Sequence, residues 1–188
     1  MNGISEFIFL SALSFLFGVT QKLADGHHEH GLNFFPGAGV VFGFAWGGVG
    51  FYLIGYSQVL QAVYLGPLLY WFYKQKIDCL PHVVGALTML FGVFLSKEDF
   101  AFPLFGVLAV FAGYVALDAI KQHTRSARLK RFFAWRLHFH FVHISYAVVV
   151  WDVYGYSPLV FDLLGIAVAN RIFAISPAGH SKPGIGNA

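Results

Sequence analysis

Long apolar stretches alternate with short polar gaps along almost the whole chain. Seven apolar segments can be distinguished, at about 5–22, 37–55, 58–73, 80–96, 100–120, 133–153 and 158–175. Most approach the roughly 20 residues with which an α-helix crosses a hydrocarbon core of about 30 Å. The third segment is short and contains Gln61 and Pro67, so a kink is expected there. The pattern predicts an all-α, polytopic transmembrane helical bundle of about seven helices, or six if the third segment does not span.

The distribution of basic residues predicts an orientation for this bundle. Eleven of the twelve Lys and Arg residues lie in, or at the borders of, every second gap, and Lys97 is the exception. Lys and Arg in short loops are retained on the cytoplasmic side. We therefore expect residues 1–175 to form one transmembrane domain with the N-terminus outside, followed by a disordered cytoplasmic tail, 176–188. The opposite ends of the segments carry Glu6, Lys97, Glu98, Asp99, Asp152 and Asp162.

Composition supports lipid as the solvent of this protein. Hydrophobic residues make up 57% of the chain and charged residues only 11%, against about 25% charged in an ordinary soluble domain. We expect an integral protein of a prokaryotic plasma membrane with membrane lipids as partners. The net charge of +3 is concentrated at one face, which favours attraction to anionic headgroups over binding to nucleic acid. The basic stretch from Lys121 to Arg131 is expected to fix the topology and lie on that lipid surface.

Candidate chemistry begins on the sixth segment. Arg136, His140 and His143 occur at i, i+4 and i+7, so they share one helical face. Two His residues spaced by three can approach one metal ion, and the Arg136 guanidinium can bind a phosphate or carboxylate with two hydrogen bonds. Together with His82 of the fourth segment, His140 and His143 are predicted to bind a divalent metal ion or to act as acid and base. The alternative is that these His residues only form hydrogen bonds at the membrane interface.

Three carboxylates are predicted to complete the site. Asp25, Asp78 and Asp118 are candidate catalytic groups that would finish the metal shell or serve as a base. Lys22, one turn before Asp25, is predicted to pair with it and, like Arg136, to hold an anionic substrate. Asp78 has an alternative role as a cap of the fourth helix.

We expect the inner-face groups to meet in one cavity. It should contain His82, His140 and Arg136, with at least one of the three Asp residues close enough for contact.

Further polar and small residues have weaker interpretations. The run from His27 to His30 follows the first segment near Gly26, where we expect the helix to end, and is either a metal site or a solvated loop. Cys79, a lone cysteine, excludes an intramolecular disulfide and a cysteine-based structural zinc site, and is expected to be inert.

The second segment carries a stripe of small residues at Gly39, Gly43 and Gly47. Such a stripe predicts close helix packing, within the chain or between copies in a homo-oligomer.

These observations leave three hypotheses for function. The first is a metal-assisted enzyme that acts on a lipid or a lipid-linked phosphate at the cytoplasmic face. The second is a small-solute or ion transporter or channel, which needs polar groups that continue toward the outer side. The third is a non-catalytic membrane scaffold. Because the ionisable residues gather at one face, the sequence favours a one-sided site.

Overall fold

The computed structural model describes residues 3–95, 104–134, 137–150 and 160–173. Within these ranges the chain forms helices and no strands, which confirms the all-α prediction for this part of the protein. The described helices are α1 (Gly3–Glu29), α2 (Ala38–Ile54), α3 (Gln58–Tyr73), α4 (Leu80–Leu95), α5 (Leu104–His123), α6 (Ala127–Ala134), α7 (Leu137–Val149) and α8 (Val160–Ile172). The predicted tail, 176–188, lies outside the described residues.

The first helix is longer than the apolar segment that predicts it. It continues through Gly26 to Glu29, and the backbone N–H of His30 donates to the Gly26 carbonyl at 3.1 Å. Gly31 then adopts a left-handed φ of 68°, a conformation that glycine reaches without steric cost. The expected end near Gly26 is therefore wrong by about one turn, and part of the histidine run is helical.

A short helix, α6, occupies the basic stretch between the fifth and sixth segments. Its basic residues Arg128, Lys130 and Arg131 are exposed, whereas Phe133 is buried. A helix with one basic and one aromatic face suits the boundary between water and lipid headgroups. Sequence reasoning missed this helix because eight residues with three charges do not resemble a membrane span.

The packing of the helices collects their polar ends. Contacts of Gly43 with Pro81 and of Gly47 with Gly85 show that α2 and α4 run parallel. Helix α3 packs on α5, α5 packs on α7, and α1 packs on both α2 and α8. We call the end that carries the C-termini of α1, α3 and α5 and the N-termini of α4 and α7 the polar end.

The small-residue face of α2 is used within the chain. A methyl group on Gly43 would overlap the Pro81 carbonyl oxygen, and one on Gly47 would overlap the Gly85 carbonyl oxygen. Gly39 also lies against Pro81. Helix α4 therefore covers this face, so a homo-oligomer contact through the same glycines would require α4 to move away.

Two described helical stretches are long and apolar enough to cross a membrane. They are Ile4–His28 and Leu104–His123, and the apolar stretches Ala38–Ile54, Leu80–Phe94 and His140–Val149 are shorter. A buried core helix or a signal sequence near an N-terminus has the same length and composition. Helix length alone therefore supports two candidate spans, and the further spans of the polytopic bundle stay a prediction.

Candidate functional site

A cavity of about 740 Å³ lies between the helices and reaches the polar end. Helix α8, which packs on α1, and helix α7, which packs on α5, both contribute residues to its walls. The cavity brings together the predicted site residues that the structure describes, namely Lys22, Asp25, Asp78, His82, Asp118, His140 and His143. Arg136, the other predicted substrate-binding residue, lies outside the described residues. The roles assigned to all of them stay predictions.

Asp25 stands between two cationic side chains. Its Oδ2 lies 3.4 Å from Lys22 Nζ, which confirms the ion pair predicted from their spacing. Its Oδ1 lies 2.8 Å from His82 Nε2, a contact between α1 and α4. Because Lys22 is only 5% exposed, the Asp25 carboxylate compensates a charge that water barely reaches.

His82 has oxygen acceptors on both sides of its ring. Besides Asp25, the Lys76 carbonyl oxygen lies 3.1 Å from Nδ1, and Asp78 Oδ1 lies 3.4 Å from the same nitrogen. Both nitrogens therefore donate, which makes the ring an imidazolium without a lone pair for a metal. This geometry argues against the predicted role of His82 as a metal ligand. It makes His82 a positively charged wall of the cavity.

The third predicted carboxylate, Asp118, joins α5 to the end of α3. Its Oδ2 lies 2.7 Å from Lys74 Nζ, and Gln122 Nε2 donates to the same oxygen at 3.0 Å. The hydrogen bond and the charge of Asp118 raise the pKa of the Lys74 ammonium above its ordinary value. Sequence reasoning missed the ion pair because its partners are 44 residues apart.

His140 and His143 share one buried face of α7, as their spacing predicts. Their ring centroids are 6.0 Å apart, and the Tyr114 hydroxyl lies 2.6 Å from His143 Nε2. This short hydrogen bond links α5 to α7 and can pass a proton between the phenol and the imidazole. The same hydrogen bond occupies Nε2, one of the two ring nitrogens through which His143 could bind a metal ion.

A different group of potential metal ligands lies at the polar end. His28, Asp78 and Cys79 each offer one ligand atom, and these three atoms all lie within 4.8 Å of one another, so the group can hold a metal ion. His28 comes from the last turn of α1, and the other two residues immediately precede α4. In the described ranges, His82, His140 and His143 do not form a comparable trio. The sequence contains a partial signal, since His28 belongs to the histidine run.

The deep part of the cavity contains a carboxylate that was expected at the opposite end of the bundle. Asp162 lines the cavity, and its backbone lies against Gly18 of α1. Gly18 precedes Asp25 by seven residues, which places Asp162 about 10 Å from the level of Asp25 along the helix. No described side chain forms an ion pair or a hydrogen bond with Asp162. The buried indole N–H of Trp46, also in the cavity wall, finds no acceptor among the described residues.

The cavity therefore has a cationic mouth and an aromatic interior. Lys76, Lys121 and Lys130 line it, and no carboxylate of the described chain lies within ion-pair distance of them. Deeper walls are formed by apolar and aromatic side chains, including Phe17, Trp46, Val63, Tyr64, Trp71, Leu163 and Ile166. This arrangement suits a molecule with a negatively charged head and an apolar body.

Comparisons of the chain with models of protein families, with curated proteins and with solved structures find no match. The function must therefore be argued from the geometry of the cavity.

Proposed function

We propose that this chain is an integral membrane protein whose cavity binds an anionic amphipathic molecule, a lipid or a lipid-linked phosphate, and acts on it at the polar end. The observation that carries this proposal is that one cavity combines a lysine-rich mouth with an aromatic interior. Its volume of about 740 Å³ falls in the range typical of small-molecule sites.

The outward face of α4 supports insertion in lipid. Exposed positions recur at helical spacing along its whole length, and all of them are apolar: Leu80, Val83, Leu87, Phe91 and Phe94. The opposite face packs small or flexible residues, Gly85, Ala86 and Met89, against the bundle. A helix on the surface of a water-soluble protein has the reverse arrangement, with its polar side outward.

Helix α7 shows the same reversal with ionisable groups. Phe141, Ile144 and Val148 are exposed, whereas His140 and His143 are buried. Ionisable side chains in membrane helices face the interior of the bundle because lipid cannot solvate them. The outward faces of α4 and α7 therefore support both helices as membrane spans, in addition to the two that length alone supports. Both helices are short for a span, and a bilayer accommodates short helices by thinning locally.

The orientation follows from the basic residues. Lys22, Lys74, Lys121 and the basic residues of α6 lie at or next to the polar end. By the positive-inside rule this end faces the cytoplasm. The ligand would then enter from the cytoplasmic leaflet, with its phosphate near Lys76, Lys121 and Lys130 and its chains against the aromatic wall.

Binding can be tested by fluorescence, because Trp46 and Trp71 both line the cavity. In a variant with Trp135 and Trp151 replaced by Phe, dibrominated phosphatidic acid added to the micellar protein is expected to quench the remaining emission. Trp46 is 1% exposed, so direct contact with it requires a molecule inside the cavity, whereas Trp71 is only partly buried. We expect saturation near one lipid per protein and weaker quenching by phosphatidylcholine with the same chains. Equal, non-saturating quenching by both lipids would contradict the proposal.

Asp162 favours a second candidate function, transport of protons or small cations. A carboxylate about 10 Å below the level of Asp25 supplies the deeper polar group that transport requires. In proteoliposomes containing a pH-sensitive dye, Asp162→Asn is expected to reduce proton or cation flux at least tenfold. If the wild-type protein carries no flux above that of empty vesicles, this candidate is wrong. A protein with neither lipid binding nor flux would fit the remaining hypothesis, a scaffold.

A further inference from the structure

Three side chains with different donor atoms converge where α1 ends and α4 begins. The imidazole of His28, the carboxylate of Asp78 and the sulfur of Cys79 offer ligand atoms that are all within 4.8 Å of one another. Ligands of one tetrahedral ion, bound at about 2.0–2.3 Å, lie about 3.5 Å apart. The side chains of His28 and Asp78 are exposed, so small rotations about their side-chain bonds can close the remaining distance.

We propose that His28, Asp78 and Cys79 bind a zinc ion with an open fourth position. The combination of one nitrogen, one oxygen and one sulfur ligand suits Zn²⁺, whereas Mg²⁺ and Ca²⁺ prefer oxygen ligands alone. Three protein ligands leave a position for water or substrate, as in catalytic zinc sites. A structural zinc site would normally have four protein ligands, one more than this group supplies.

The surroundings of the group are suited to support such an ion. His82 lies 3.4 Å from Asp78 and is held on its other side by Asp25. A charged neighbour that contacts a ligating carboxylate restricts its orientation and tunes its affinity. The ring of His82 also lies 6.3 Å from that of His28, centroid to centroid. His82, which the sequence predicts as a metal ligand, therefore lies beside the proposed ion and positions its ligand Asp78.

The zinc site lies at the edge of the main cavity. Asp78 and His82 line that cavity, whereas His28 lines a second cavity of about 460 Å³. Lys76 lines the same cavity as Asp78, and its backbone carbonyl contacts His82, so an ion held by this group would share the mouth where the phosphate of the ligand is expected. The zinc site itself does not depend on the proposed function, but its part in acting on a bound phosphate rests on that function.

Cobalt provides a direct test, since Co²⁺ occupies zinc sites and its bond to a thiolate produces a charge-transfer band in the near ultraviolet. Chelator-treated, lipid-free protein titrated with Co²⁺ is expected to develop this band at one ion per chain, and Zn²⁺ should abolish it. Cys79→Ser should remove the band. Asp78→Asn should weaken metal binding at least about 100-fold, the upper end of the loss seen for groups outside the coordination shell.

Matched controls separate this site from adventitious binding. His123→Gln removes an exposed histidine from the end of α5, far along the chain from the group, and should leave the titration unchanged. His28→Gln should weaken binding as Asp78→Asn does. Binding that depends on His28 but shows no thiolate band and is insensitive to Asp78→Asn would overturn the proposal.

Because Asp78 is 61% exposed at its side chain, its Asn variant is expected to fold even if the Cys79 variant does not. Lipid quenching measured on the metal-free protein tests the proposed function separately, so failure of one experiment does not decide the other.

Discussion

A variant with Lys76, Lys121 and Lys130 all replaced by Gln is expected to bind dibrominated phosphatidic acid about 100-fold more weakly than the wild type. Each lysine near an anionic headgroup contributes about 1 kcal/mol, and every 1.4 kcal/mol changes affinity tenfold. These lysines line the cavity mouth without a described carboxylate partner. The measurement is the tryptophan quenching titration, carried out at fixed ionic strength because salt screens such contacts.

The chain offers a control with the same change in charge. Arg125, Arg128 and Arg131 are exposed next to the same end of the bundle, but they do not line the cavity. Replacing these three residues by Gln should weaken binding less than about threefold, because surface charge acts on the bound lipid only through water. An equal loss in both triple variants would mean that the lipid binds to the basic surface and not inside the cavity.

Replacing Asp25 by Ala is expected to lower the free energy of unfolding by about 3 kcal/mol, the lower end of the cost of removing one partner from a buried ion pair. The variant leaves Lys22, which is 5% exposed, and His82 without their shared carboxylate. The change can be measured by denaturant titration in micelles. Asp118→Ala, which removes the partner of the more exposed Lys74, should lower the free energy of unfolding much less than Asp25→Ala does, because water solvates the lysine that is left.

A compensating variant distinguishes loss of charge balance from loss of packing. In Lys22→Met, Asp25→Leu, His82→Leu, the buried charges that meet at Asp25 are all removed, and only the exposed Asp78 carboxylate remains. Apolar residues replacing a buried ion network are often neutral or stabilising. We therefore expect this variant to recover most of the stability that Asp25→Ala loses. If it is as unstable as Asp25→Ala, the network matters for its hydrogen-bonding geometry and not for its charge balance.

Some features of the site are readable from sequence because they are local. Lys22 and Asp25 lie one turn apart on α1 and form the predicted ion pair. His140 and His143 share a buried face of α7, as a three-residue spacing dictates. Both results need only the helical repeat. The same repeat does not indicate which helix faces them, so Tyr114 could not be predicted as the partner of His143.

Cys79 shows why the rest could not be predicted. A single cysteine has no spacing pattern, and its neighbours in sequence form no metal motif. Its position beside His28 arises because α1 runs about one turn past its expected end near Gly26, and because α4 packs against α2 through glycines. The second condition is tertiary, because it depends on how closely two backbones approach.

The sequence by itself determined the all-α class and the bounds of α2, α3 and α4 to within about two residues, because hydropathy and helix-breaking residues act locally. Only the tertiary structure decided which charges pair across the bundle and how deep Asp162 lies. The physical reason is that contacts between small residues set the rotation and axial position of each helix. Gly18, for example, lets the backbone of Asp162 approach α1 at a level that no pattern along either helix specifies.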